Sequence, residues 1–140
     1  MNRFRKHLPA TMAVVLVLSL GSLGACGGGS DEDDVRSASE DFVSAFKDEN
    51  WEEVCSLMTE KSRAQLEQAG EALDAKGGCP DVWEKAKKFL PPETEKQLDN
   101  FEVDTVKVSG DKATVTTTDA KGSPTQLIKE DGEWRINFAS

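Results

Sequence analysis

The chain is expected to fold as an α+β domain, with N-terminal helices packed on a curved antiparallel sheet of about four strands. Three observations predict it. Apolar residues recur at helical spacing from Val35 to Leu90, the period changes to two from Phe101 onward, and Ser109-Gly110-Asp111-Lys112 and Asp131-Gly132 mark tight turns between the later segments. Helices first and an antiparallel meander after them is the ordering of an α+β fold.

Before the domain, residues 1–25 carry the three-part pattern of an export signal. Arg3, Arg5, Lys6 and His7 come first, then the apolar run Met12 to Leu20, then small residues up to Ala25. The run falls short of the roughly 20 apolar residues that a bilayer crossing needs. Leu23-Gly24-Ala25-Cys26 is similar to the lipobox of bacterial lipoproteins, which implies a diacylglyceryl thioether on Cys26 as the new N-terminus. The expected location is therefore the extracytoplasmic face of the cell membrane, with the lipid as anchor. Residues 26–34 then read as a flexible acidic tether: Gly27 to Gly29 and Ser30 give freedom, and Asp31, Glu32, Asp33 and Asp34 give solvation. No strand precedes the glycines and no Lys-Ser/Thr pair comes after them, so they do not form a phosphate loop.

The domain is expected over residues 35–140. Val35, Ala38, Phe42, Ala45 and Phe46 share one face of a first helix that runs to about Lys47. Asn50 caps a second helix, with Glu53 three residues on, and Trp51, Val54, Cys55 and Met58 form its stripe. Thr59 caps a third helix, expected from Glu60 to Lys76, with Leu66, Ala69 and Leu73 pointing inward and Gly77-Gly78 stopping it. Cys79-Pro80 opens a fourth segment in which Val82, Ala86, Phe89 and Leu90 recur, and Pro91-Pro92 ends it.

In the strands, Phe101 and Val103 share one face and Val106 and Val108 share one again after a slip, which either a bulge near Thr105 or a simple strand twist would reconcile. Ala113, Val115 and Thr117 face opposite to Thr114, Thr116 and Thr118. Thr125 to Lys129 is the next strand, and Trp134, Ile136 and Phe138 alternate with Arg135 and Asn137 in the last.

Composition bounds the function. The whole chain holds 17 basic and 26 acidic side chains; the part from Cys26 onward keeps 14 and 26, a formal charge of −12, which disfavours nucleic acid as a partner. There is no Tyr, and the one His, His7, lies in the signal, so the mature part has no imidazole for base catalysis or metal ligation. No cofactor and no metal are expected. With Cys26 assigned to lipid and an oxidising compartment implied, Cys55 and Cys79 are left as a disulfide pair; they show no C-x-x-C spacing and have no His to activate a thiol.

Asp41-Phe42, Trp51-Glu52-Glu53-Val54-Cys55, the stretch Val106 to Val115 and the ending Asp131-Gly132-Glu133-Trp134-Arg135-Ile136 are together similar to small exported NTF2-like lipoproteins of actinobacteria, including those called DUF4878-like. The resemblance implies an NTF2-like/cystatin-like cone, whose mouth in that superfamily often holds an apolar ligand or an active site, and which often pairs as a homodimer through its sheet. Asp104, Asp119 and Asn137 are the candidates for the polar lining of such a cavity; their ordinary reading is solvent-facing or turn-adjacent. Trp51 and Trp83 are candidates for its aromatic lining, with Trp83 the more exposed, while Trp134 belongs to the core. Lys85, Lys87 and Lys88 form a short basic cluster that reads first as a solvated helical face, with contact to a headgroup or an anionic wall polymer as the alternative.

Three functions are open on these grounds. One is a non-catalytic module that binds a small apolar ligand or an envelope protein. Another is a structural or stress-related envelope protein with a closed core. The third is a cone-type lyase or isomerase, whose family pattern uses Tyr, Asp or His donors, of which Tyr and His are missing from the part after Ala25.

Overall fold

Ser30 starts the first helix. A computed structural model of the chain describes residues 30–118 and 124–139, so Cys26, the Gly27–Gly29 run and Asp119 lie outside the described residues. The Ser30 hydroxyl accepts from the Asp33 N–H, and the Asp33 carboxylate accepts from the Ser30 N–H, which together form a capping box. The first helix, α1, is therefore Asp31–Lys47. The four acids expected in the tether are its first turn, where unpaired N–H groups favour negative charge. The expected tether loses residues 30–34 to this helix and its cap. Within α1, Val35, Ser39, Val43 and Ala45 are buried, and the Ser39 hydroxyl is satisfied by donating to the Val35 carbonyl at 2.8 Å.

Asn50 caps α2, Trp51–Ser56: its side-chain oxygen accepts from the Glu53 N–H, and its amide donates to the Glu53 carboxylate at 2.7 Å. Thr59 caps α3, accepting from the Ser62 N–H at 3.2 Å. This helix spans Glu60–Gly70, six residues short of the expected Lys76, and continues only as a 3₁₀ turn over Glu71–Leu73. Asp74, at a left-handed φ of 53°, ends the helical run. At Gly70 a β-carbon would lie 2.2 Å from the Val82 side chain, so the backbone passes the next helix with no room for a side chain. The inward face is accordingly Ser62, Leu66 and Gly70, and Ala69 is exposed.

Gly78, at φ 74°, turns the chain into α4, Cys79–Ala86, with Pro80 in the first turn. The helix tightens to 3₁₀ at Lys87–Phe89, and the altered period throws Phe89 outward to 75 % exposure instead of into the expected stripe. Pro91-Pro92 ends that segment and also begins a helix that the sequence pattern did not reveal, α5, Pro92–Asp99.

The strands are β1 Val103–Ser109, β2 Lys112–Thr117, β3 Thr125–Glu130 and β4 Glu133–Asn137, all antiparallel in the order β1-β2-β3-β4. The register slips between Val103 and Thr105, as the expected bulge requires. Asp131 and Gly132, both at positive φ, form the two-residue β3–β4 turn. Beyond the last strand, Phe138 does not continue the inward alternation. It is 55 % exposed, with its ring centred 5.8 Å from that of Phe42. The outer edge of β4 is covered by the segment after α2: Ile136 donates to the Leu57 carbonyl at 2.8 Å, and Thr59 donates to the Ile136 carbonyl at 2.9 Å.

Two apolar clusters result. The first joins Val35 to Val103, Ala113, Val115, Leu127, Trp134 and Ile136, and so fills the face of the sheet that α1 covers. The second gathers Ala45, Val54, Cys55, Met58 and Cys79 among the helices. Phe42 packs against both. No helix among the described residues is long and apolar enough to cross a membrane.

Cys55 and Cys79 form the expected disulfide, with Cα atoms 6.1 Å apart and both residues buried, and it joins α2 to the start of α4. Closing a loop with a sequence separation of 24 should stabilise the domain by about 3 kcal/mol on the chain-entropy account. The Cys55→Ser/Cys79→Ser double variant is expected to lose about that much in urea unfolding, and the wild-type domain to take up alkylating reagent only after reduction. Alkylation of the folded, unreduced protein would contradict the bond.

Charge fastens the two ends of the domain. Lys129 of β3 donates to Asp31 at 2.7 Å, and that hydrogen bond is the main reason the Asp31 carboxyl titrates below its ordinary range; Lys129 is raised in return. Asp81 is also lowered, first by the Gly77 N–H and then by Lys85. A carboxyl lowered on folding contributes stability that is fully present above its unfolded value of about 3.9 and is lost as pH falls through the folded value. Urea midpoints measured from pH 5 downward should therefore fall below about pH 4. They should fall less steeply in Asp31→Asn and Asp81→Asn; an unaltered profile in both variants would refute the assignment.

Candidate functional site

The last turn of α1 and the first residue of α2 form one wall of a cleft. Between them Glu49 takes a left-handed conformation (φ 57°), and the Asn50 N–H returns to the Ala45 carbonyl at 2.9 Å, which reverses the chain and sets Phe46 beside Trp51. Their ring centroids are 5.2 Å apart and edge-on. Trp83, from α4, stands near-parallel to Trp51 at 6.4 Å and edge-on to Phe46 at 5.2 Å. Offset and edge-on contacts of this kind add about 0.5–1.5 kcal/mol each beyond burial. Because the disulfide joins α2 to α4, this aromatic wall is braced by a covalent bond behind it.

The opposite wall is Lys87, Leu90, Pro91 and Pro92, then Thr94, Glu95, Leu98 and Asp99 of α5; the cleft is open to solvent, with a volume of about 320 Å³. This wall is built differently. No residue of α5 is buried; Thr94 and Leu98, which line the cleft, are half-buried. An ion pair at 2.9 Å between Lys47 of α1 and Asp99 holds the far end of the helix, and Lys87 pairs with Glu49 across the cleft's other margin. Glu95 is exposed and makes no ion pair or hydrogen bond among the described residues. The site thus offers aromatic and aliphatic contact area, two neutralised lysines and one unpaired carboxylate.

Of the residues singled out from sequence, Trp51 lines this cleft. Trp83 stands behind it, half-buried rather than exposed, and its indole N–H is buried without a partner. Asp104 does not line the cleft: it is exposed in the β1 bulge, where it accepts from the Thr105 hydroxyl at 3.0 Å. Asn137 does not either. Its oxygen accepts from Thr59 at 3.1 Å and Ser62 at 3.3 Å, and its amide donates to the Ala139 carbonyl, so it fastens the start of α3 to the end of β4.

Trp134 is in the core as expected, with the Lys129 ammonium 5.4 Å from its ring centre. The three lysines do not act as one basic patch. Lys85 pairs with Asp81 and Lys87 with Glu49, leaving Lys88 exposed. Sequence reasoning missed Phe46 as a site residue and all of Leu90 to Leu98; the available signal was Pro92 with Glu93 and Glu95 after it, a proline and acids in a first helical turn. Among the described residues, no group of three His, Cys, Asp or Glu side chains is placed to hold a metal ion.

Comparison with protein-family models, with curated proteins and with solved structures returned no match.

The unequal walls have a measurable consequence. A helix without buried residues opens at low free energy, and an exposed ion pair such as Lys47–Asp99 is worth about 0–1 kcal/mol. Amides of α5 should exchange with solvent faster than those of α1 and α4, and faster still in Asp99→Asn, while the global unfolding midpoint of that variant stays nearly unchanged. Protection of α5 equal to that of α1 would show it to be part of the rigid body.

Proposed function

We propose that the chain is a lipid-anchored extracytoplasmic lipoprotein with an NTF2-like domain that works as a non-catalytic binding module, and that it binds in the cleft between Trp51 and α5. The lipobox-like Leu23 to Cys26 supports the anchor. With α1 capped at Ser30, four residues separate it from Cys26, a leash of at most about 14 Å, so the domain would stay close to its membrane. The helices and the four-stranded meander after them support the NTF2-like reading in their order.

The observation that carries the function is where the open volume lies. The sheet face that a ligand-binding cone would leave free is filled by Val35, Leu127, Val115, Trp134 and Ile136, whereas the cleft on the helical side is lined by an aromatic pair, aliphatic residues and a polar rim. Concave, mostly apolar sites with a few polar groups are where proteins hold small ligands and side chains of partners. Two carboxylates of its rim, Glu49 and Asp99, are engaged by lysines, an arrangement suited to holding shape rather than to proton transfer.

The test uses the lipidated protein purified from membranes. Cys26→Ser should lose lipid labelling and the membrane-bound fraction; an unchanged, labelled membrane fraction would remove the anchor. Native mass spectrometry should show a noncovalent mass on the wild type, and Leu98→Lys, which alters the cleft at a helix without buried residues, should lose it. Retention of that mass by Leu98→Lys would place binding elsewhere.

A further inference from the structure

We infer that the cleft takes a cationic group carried on an apolar stem, presented by a basic peptide segment. The inference rests on the cleft being the binding site and adds the chemistry of its occupant. Its charges decide the sign. Lys47 is neutralised by Asp99 and Lys87 by Glu49, so neither lysine remains free to receive an anion, and Glu95 is left as the unpaired charge of the lining. The Trp51 indole and the Phe46 ring both line the same cleft, and aromatic faces attract ammonium and guanidinium groups.

Leu90, Pro91, Pro92 and Leu98 supply the apolar wall along which the methylenes of a lysine or arginine would lie while the charged end reaches the carboxylate. At longer range the 26 acidic side chains draw cations in and turn anions away. A peptide fits better than a fatty chain, because the cleft is open and charged at its rim.

The test is a fluorescence titration of the wild-type domain with acetyl-Leu-Arg-Leu-amide and with its citrulline counterpart, which has nearly the same shape without the charge, at low ionic strength. The arginine peptide should bind about tenfold more tightly, as expected for a partly desolvated cation at an aromatic face with a carboxylate beside it. Glu95→Gln, which alters an exposed side chain, should bring the two affinities together. Equal affinities in the wild type, a preference that survives Glu95→Gln, or no saturable binding of the arginine peptide would each overturn the inference. So would binding to phosphatidylcholine vesicles in place of the peptide. Loss of both peptides in Leu98→Lys, which puts a cation into the lining, together with equal wild-type affinities would remove the charge preference and keep the cleft; unaltered peptide binding in Leu98→Lys would remove the cleft itself.

Discussion

The rest of the domain hangs on a single helix lying across two separate apolar clusters. The N-terminal half of α1 puts Val35 against the sheet, its C-terminal half puts Ala45 and Phe46 among the other helices, and Phe42 packs on both sides. Neither cluster is large, and a domain of this size buries too small a share of its surface for either to stand alone. The helix makes them one folding unit. The Lys129–Asp31 pair fixes one end of α1 to the sheet, and the Asn50 cap and the disulfide hold α2 in place beyond its other end.

That arrangement also decides where a cleft can form. With α1 pressed on the sheet, the covered face is filled by side chains, and a cleft lies beyond the last turn of the helix. There a wall stapled by Cys55–Cys79 faces a wall that buries nothing, α5. One side is rigid and one is free to yield. Binding proteins use this division so that a fixed surface reads the ligand while a low-stability element adjusts around it. The ion pairs at the margins set the cleft's width at little cost in stability, being exposed.

The legible part of the sequence was the part that neighbouring residues decide among themselves. Asn50 and Thr59 cap helices by bonding to N–H groups three residues on, and Asp131-Gly132 turns a hairpin because both positions accept positive φ. The cysteine pair came from counting, and the bulge at Asp104 from a break in alternation. Long-range contacts decided the rest. The absence of a side chain at Gly70 answers the approach of Val82, which no local pattern reveals. The acids 31–34 suit both a solvated tether and a helix start, and the Ser30–Asp33 bonds chose the second. Pro91-Pro92 reads as a stop, and the helix it also begins hid half of the cleft. The site was the least legible part: its residues come from the segments 46–51 and 87–99, which meet only after the helices have packed.

The chain holds three tryptophans, and they report on different places: Trp51 lines the cleft, Trp83 stacks behind it, and Trp134 lies 5 % exposed in the sheet core. The most direct measurement is therefore the nitrogen–proton correlation spectrum of the three indole N–H groups during titration with the arginine peptide. A saturable movement of the Trp51 signal, with a smaller one at Trp83 and none at Trp134, is the result expected here. Movement of Trp134 with Trp51 unmoved would put the ligand inside the sheet core and contradict the account.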